Sequence, residues 1–173
     1  MIFDTIWSLP LSQIVGFVAM ILSIIAAWQT KDRYFLMICF VSSSIWSLHF
    51  WMLDAQAASV VQMIVAIRCL ISLKIRGPIM GIVFSLLLMG SGLITYQNYI
   101  SILPIIASLI GTLGTTIMSG IRMRIALIIC CMTWLVHDVL VWSLGGMAIE
   151  TIHIVVFSIA IYRIHRFDKS KQT

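Results

Sequence analysis

The sequence predicts an all-α membrane protein with seven transmembrane helices, and its composition is the first reason. Of its 173 residues, 61% are hydrophobic and 10% are charged, and the mean hydropathy is +1.10. A soluble domain averages about 25% charged residues. These values exclude a soluble globular protein, a disordered chain, a disulfide-rich secreted scaffold and a nucleic-acid binder. Long apolar stretches then leave a polytopic membrane protein.

Seven stretches are long and apolar enough to cross a bilayer, and they lack the alternation of a transmembrane β-strand. They lie at about residues 10–29, 34–53, 56–74, 78–96, 100–119, 123–142 and 146–163. Pro10 and Pro104 fall at first-turn positions, where proline is tolerated. Gly77–Pro78 separates the third span from the fourth. The first span is expected to be a permanent anchor, because no small-residue cleavage site follows it.

The positive charges predict the orientation. Every Lys and Arg except Arg68 follows the first, third, fifth or seventh span. The positive-inside rule then places the N-terminus outside and the C-terminus in the cytoplasm. Arg68 lies about two turns from the inner end of its span and is expected to snorkel there. The basic residues 163–171 are expected to orient the chain and to touch anionic lipid rather than to recruit a partner.

The chain contains an internal repeat with an offset of 88 residues. Trp46-Ser-Leu-His49 then aligns with Trp134-Leu-Val-His137. The same offset aligns two stripes of small residues, which allow close helix packing: Ala19, Ser23 and Ala27 with Ala107, Gly111 and Thr115. The sequence therefore predicts two parallel three-helix bundles joined by a linker helix (3+1+3). The predicted divisions are 1–76 for the first repeat, 77–99 for the linker helix and 100–173 for the second repeat with its basic tail.

Polar groups at membrane depth form the candidate binding site, because ionisable side chains there usually face a cavity or a partner. Helical rise places them in a band about 5–10 Å below the outer surface. Trp46 and Gln62 are sixteen residues apart, as are Trp134 and Glu150, so each repeat offers an indole and a polar group to the central axis. The substrate-binding candidates are Trp46, His49, Gln62, Trp134, His137, Asp138, Glu150 and His153.

Each candidate has a simpler interpretation. Glu150 lies near enough to the surface to reach headgroup water, Asp138 and His137 are able to form a local ion pair, and single tryptophans often only pack. Glu150 and His153 have the Glu-x-x-His spacing of carboxylate metal sites, and proton coupling through the same pair is an alternative. A metal site needs three ligands converging among His49, His137, Asp138, Glu150 and His153. The four cysteines fall within spans, and Cys130–Cys131 is interpreted as helix packing.

The stretch Ser59-Val-Val-Gln-Met-Ile-Val-Ala-Ile-Arg-Cys-Leu-Ile-Ser-Leu, with Trp134-Leu-Val-His137 and Gly145-Gly-Met-Ala-Ile-Glu150, resembles the YgjV-type family of bacterial inner-membrane proteins. The resemblance implies a fold and an inner-membrane location, and it supplies no reaction.

More distantly, the 3+1+3 plan is similar to the SWEET and SemiSWEET sugar facilitators, the PQ-loop proteins and the PnuC vitamin transporters. Those facilitators have an aromatic residue on the second helix of a repeat and an asparagine sixteen residues later. Here Gln62 and Glu150 replace the asparagines, and Trp28–Gln29 replaces the Pro-Gln pair. The resemblance implies a transporter, while the acidic residue favours a polar or cationic solute over a sugar.

The leading hypothesis is a small-solute carrier that works by alternating access, with the site between the two repeats. The alternatives are a non-transporting binding or accessory protein of the same fold, and a metal-binding membrane protein. The sequence contains no phosphate loop, nucleophile elbow or zinc-protease motif, so we expect no enzyme. No cofactor and no resident metal are predicted. The expected partners are the bilayer and a small solute, with no nucleic acid, and the chain is expected to be a monomer or homodimer.

Overall fold

The computed structural model describes residues 10–27, 29, 32–75, 77–118 and 120–170. Within these residues the regular structure is entirely helical, with seven α-helices and one short 3₁₀ turn. The helices are α1 (Leu11–Ala27), α2 (Asp32–Met52), α3 (Gln56–Ile71), α4 (Pro78–Thr95), α5 (Ile102–Ile117), α6 (Gly120–Leu140) and α7 (Leu144–Ser170), and the 3₁₀ turn is Tyr99–Ser101.

Four segments meet the length and hydropathy of a membrane span: Pro78–Thr95, Tyr99–Ile117, Gly120–Leu140 and Leu144–Tyr162. Three apolar helices are shorter, at Leu11–Ala26, Leu36–Met52 and Gln56–Ile71. Large apolar side chains cover the outward faces, as Leu93 and Ile94 on α4 do. A surface of this kind is stable only against lipid, so the chain is a multi-pass membrane protein in contact with the bilayer.

The predicted spans coincide with the seven helices within about two to three residues at most ends. The seventh helix differs. It continues to Ser170, well beyond the predicted end at 163. The basic segment that the sequence predicts to be a tail is therefore part of the helix. Arg and Lys favour helical structure, and this segment contains no glycine or proline to end it. The N-terminus, residues 1–9, lies outside the described residues.

Six of the helices form a closed ring. In order around it, α1 packs on α2, α2 on α3, α3 on α5, α5 on α6, α6 on α7, and α7 returns to α1. The fourth helix lies outside the ring against α3 and α5. Two of these contacts, α1 with α7 and α3 with α5, join the N-terminal three helices to the C-terminal three, and they are where the two halves meet.

The contact between α1 and α7 is backbone to backbone. A Cβ built on Gly145 would lie 2.8 Å from the carbonyl carbon and oxygen of Gly16, and one built on Gly16 would lie 2.7 Å from Cε1 of His49. Glycine at position 145 permits this approach, and Gly16 leaves space for the His49 imidazole of α2. The positions offset by 88 residues are Pro104 and Ala57, which are both buried, so the glycine pair is not repeated in the second half.

Candidate functional site

Five aromatic rings fill the middle of the helix ring. Phe50 stacks on Trp46 with centroids 5.7 Å apart and on Trp134 at the same separation. The rings of His49 and His137 contact this stack edge-on or tilted, each 5.2–5.5 Å from its neighbours. All five side chains are buried. The stack therefore packs the second helix of one half against the second helix of the other.

A cavity of about 140 Å³ lies against this stack. It is lined from α1, α2, α3, α6 and α7, and its lining residues are Ser23, Ser43, Trp46, Phe50, Gln62, Trp134, Asp138, Gly146, Ile149, Glu150 and His153. We call it the central cavity. Six of the eight side chains that the sequence singled out lie on its wall: Trp46, Gln62, Trp134, Asp138, Glu150 and His153. The structure thus brings both halves of the predicted set together.

The other two side chains of the predicted set, His49 and His137, lie elsewhere. His49 is fully buried, and its Nδ1 is 2.7 Å from the carbonyl oxygen of Ser12 while its Nε2 is 2.8 Å from the hydroxyl of Ser143. His137 lines a separate cavity of about 80 Å³ beside the start of α3. These positions follow from the helix direction, since both histidines are three residues beyond the tryptophan that lines the central cavity. The binding role predicted for them remains a prediction.

Gln13 reinforces the junction between α1 and α7. Its Nε2 donates to the carbonyl oxygen of Trp142 at 2.7 Å, and its Oε1 accepts from the Leu144 backbone N–H at 3.1 Å. Together with His49 and Ser143 it forms what we call the α1–α7 latch, at the end that the positive-inside rule predicts to face outside. Gln13 and Ser143 were not among the predicted residues, although a glutamine in the first turn of an apolar helix is a visible signal.

The serine-rich neighbourhood of Trp46 fixes the indole. Its Nε1 donates to the Ser23 hydroxyl at 3.1 Å, and Ser23 and Ser42 share a hydrogen bond of 2.8 Å. The residues offset by 88 from this serine pair are Gly111 and Cys130, and a Cβ on Gly111 would lie 3.1 Å from the Cys130 sulfur. Equivalent positions therefore form equivalent helix contacts, but Gly111 offers the Trp134 indole no hydroxyl.

The acidic side of the cavity has two carboxylates in different surroundings. Asp138 is buried and its Oδ1 lies 3.2 Å from Nδ1 of the adjacent His137, so the two side chains are in contact, and an ion pair between them remains a prediction. Glu150 has a buried Oε2 with no hydrogen-bond partner among the described residues, and that atom is 3.8 Å from Nδ1 of His153. A buried acidic oxygen without a hydrogen bond is costly at this depth, so it marks Glu150 as a candidate for binding a ligand.

Of the five ligands considered in the sequence analysis, only Glu150 and His153 contribute to a three-donor cluster within the described residues, and the third donor is Cys131. The sequence analysis assigned this cysteine to packing. Cys131 lies three residues before Trp134 and seven before Asp138, so all three share one face of α6. This spacing is the sequence pattern that indicates a place for Cys131 near the site.

A second and larger cavity, of about 470 Å³, lies nearer the predicted cytoplasmic side. Its wall includes Arg68, Cys39, Cys69 and Thr116, and it shares Ser43 with the central cavity. Arg68 is half-buried and donates from Nη1 to the Thr112 hydroxyl of α5 at 3.2 Å. The guanidinium thus bonds to a neighbouring helix at this depth.

Comparison with known proteins identifies the family. The model of the Imp-YgjV family, described as a bacterial inner membrane protein, matches residues 10–168. The chain belongs to this family. It is also 28% identical over 159 residues to the inner membrane protein YgjV of Escherichia coli K12, an alignment that covers 92% of this chain and 87% of the relative. No solved structure matches.

Membership of the Imp-YgjV family confirms the resemblance found in the sequence and the location in the bacterial inner membrane. The more distant link to the SWEET, PQ-loop and PnuC transporters has no support from these comparisons and remains a prediction.

Proposed function

We propose that this protein is a small-solute carrier of the inner membrane that works by alternating access, with its binding site in the central cavity. The observation that carries the proposal is the convergence of Trp46, Gln62, Trp134 and Glu150 from the two halves of the chain on one cavity. The proposal includes no catalytic step.

The helix contacts support the 3+1+3 arrangement on which the carrier depends. With an offset of 88 residues, α1, α2 and α3 correspond to α5, α6 and α7. The counterpart of the contact between α1 and α7 is then the contact between α5 and α3, and both contacts are present. Helix α4 has no counterpart and packs outside the ring. Two parallel repeats around a common axis, with a site at their interface, are a transporter plan. The proposal also includes the orientation, with the N-terminus outside the inner membrane and the C-terminus in the cytoplasm.

The α1–α7 latch is the proposed outer gate. Its four hydrogen bonds connect His49 and Gln13 with Ser12, Trp142, Ser143 and Leu144. Three of them, to Trp142, Ser143 and Leu144, cross between the halves. Interhelical hydrogen bonds in membranes contribute about 0.6 kcal/mol each, so these three hold the gate with about 2 kcal/mol. Conformers separated by a few kcal/mol interconvert at equilibrium. The second cavity, which shares Ser43 with the central cavity, is the proposed inner route.

The test begins with thermal unfolding of the purified protein in the presence of sugars, vitamins, amines and metal ions at several pH values, because a ligand of the native state raises its apparent stability. Uptake of any stabilising solute is then measured in proteoliposomes. We expect Glu150→Gln and Trp134→Ala to abolish uptake while folded protein is retained. Trp51→Ala, at a 63% exposed position on α2, is the control. If uptake is unchanged in both site variants, the central cavity is not the binding site and the proposed carrier function is wrong.

A non-transporting accessory protein of the same fold is the second candidate. The buried stack of Phe50 with Trp46 and Trp134 closes the axis in this conformation, and a permanent closure would block transport. Ser23→Cys, introduced into a chain without its native cysteines, separates the two candidates because Ser23 lines the central cavity. A carrier should admit a small impermeant thiol reagent from both sides of the membrane, whereas the accessory protein should admit it from one side at most.

A further inference from the structure

Three side chains with metal-ligating atoms converge beside the central cavity, and two of them, Glu150 and His153, lie on its wall. Cys131 of α6 is buried, and Glu150 and His153 of α7 are 15% and 31% exposed. One ligand atom from each lies within 4.8 Å of the other two. Two ligands of a tetrahedral zinc ion, at bond lengths of about 2.0–2.3 Å, are roughly 3.3–3.8 Å apart. A small rotation of the side chains would therefore bring all three atoms onto one ion.

The pair on α7 is spaced for an ion rather than for a hydrogen bond. Nδ1 of His153 and Oε2 of Glu150 are 3.8 Å apart, which is beyond hydrogen-bond reach and a few tenths of an ångström more than the roughly 3.4 Å between a nitrogen and an oxygen ligand of one zinc ion. The same Oε2 is buried and has no hydrogen-bond partner among the described residues. A buried carboxylate oxygen is costly without a partner, and a bound cation would supply one.

The size of the cavity also favours an ion. Its volume of about 140 Å³ is sufficient for a few water molecules. Pockets for organic ligands are usually about 300–1,000 Å³. The cavity therefore accommodates a cation with a few waters.

We propose that Cys131, Glu150 and His153 bind a divalent transition-metal ion of the zinc type. Thiolate, imidazole and carboxylate together suit Zn²⁺ and Co²⁺, whereas Mg²⁺ and Ca²⁺ prefer oxygen ligands alone. Three protein ligands leave a fourth position open toward the cavity. Binding requires the Cys131 thiol to give up its proton to water as the metal–sulfur bond forms. That this ion is the cargo rests on the proposed carrier function.

Titration of the tag-free, metal-free protein in detergent with Co²⁺ tests the site, because a cobalt–thiolate bond produces a charge-transfer absorption band. We expect one Co²⁺ per chain with this band, displaced by Zn²⁺. Cys131→Ser should lose the band, and Glu150→Gln and His153→Gln should weaken binding by at least about tenfold. Cys130→Ser is the matched control, since the neighbouring cysteine is outside the cluster, and it should retain the band.

A band that persists in Cys131→Ser, or a wild-type protein that binds no Co²⁺, would overturn the site. Thermal unfolding of each variant without metal verifies that the protein is folded. Entry of Zn²⁺ into proteoliposomes that contain a zinc-sensitive dye tests the cargo separately. Binding without entry would overturn the cargo assignment and leave the site, while uptake of another solute by a protein that binds no metal would leave the carrier and overturn the site.

Discussion

The imidazole of His49 on α2 hydrogen-bonds to the hydroxyl of Ser143, 94 residues later, at 2.8 Å. Its other ring nitrogen bonds to the Ser12 carbonyl, so a single buried side chain of the first half joins α1 to the start of α7. In the other half, the counterpart of His49 is His137 and the counterpart of Ser143 is Ala55, which has no hydroxyl to bond to the imidazole. The latch between the halves is therefore built at one junction.

Ser143→Ala should destabilise the protein by about 1–3 kcal/mol, because it leaves a buried imidazole nitrogen without a partner. The thermal unfolding midpoint in detergent measures the change. Ser158→Ala is the control, since the Ser158 hydroxyl is exposed and bonds only within its own helix. A Ser143→Ala midpoint equal to that of the control would show that the latch contributes nothing.

Gly145→Ala should disrupt the α1–α7 junction, because its Cβ would lie 2.8 Å from the Gly16 backbone and backbone atoms have no rotamer with which to move away. Overpacking of this kind costs about 1–3 kcal/mol. Gly90→Ala is the matched control, because a Cβ there meets nothing within 4 Å. The two variants are compared by yield of monodisperse protein and by unfolding midpoint. If both tolerate alanine equally, the close approach is not required.

Phe50→Ala should lower the free energy of unfolding by about 3–5 kcal/mol, because it removes the central ring of a buried stack. Phe50→Leu should cost less, since it retains most of the apolar volume. Trp51→Ala, at an exposed position next in the chain, should have little effect. A loss in Phe50→Ala no greater than in Trp51→Ala would contradict a packed centre.

Cysteine labelling tests the predicted orientation. In a chain without its native cysteines, Tyr99→Cys should react with an impermeant maleimide added to intact spheroplasts, because Tyr99 is 85% exposed and lies in a predicted outer loop. Lys74→Cys is also exposed and should react only after lysis. The reverse pattern would invert the topology.

The helices were predictable because a bilayer imposes one simple rule on the chain. A backbone without water must be helical over about 20 residues, so the apolar stretches alone located α1 to α7. The end of α7 at Ser170 was not predicted, since that rule no longer applies once the helix leaves the membrane.

The central cavity was predictable in part. The paired spacing of Trp46 with Gln62 and of Trp134 with Glu150 was sufficient to place these side chains on one axis, and all four line the same cavity. His49 and His137 share the helix faces of the tryptophans but lie one turn farther along, where they contact the stack and the helix ends instead. The helical spacing of residues specifies which face of a helix they share, but it does not specify at which level along the helix a cavity forms between neighbouring helices.

The sequence alone therefore determined the membrane class, the number and placement of the helices, and the residues able to carry charge inside them, since these depend on local hydropathy and helical period. Only the tertiary structure decided that Phe50 separates the two tryptophans, that Gly16 meets Gly145, and that Cys131 joins Glu150 and His153. Those relationships arise from how the helices close into a ring, and contacts between residues far apart in the chain leave no periodic signal in it.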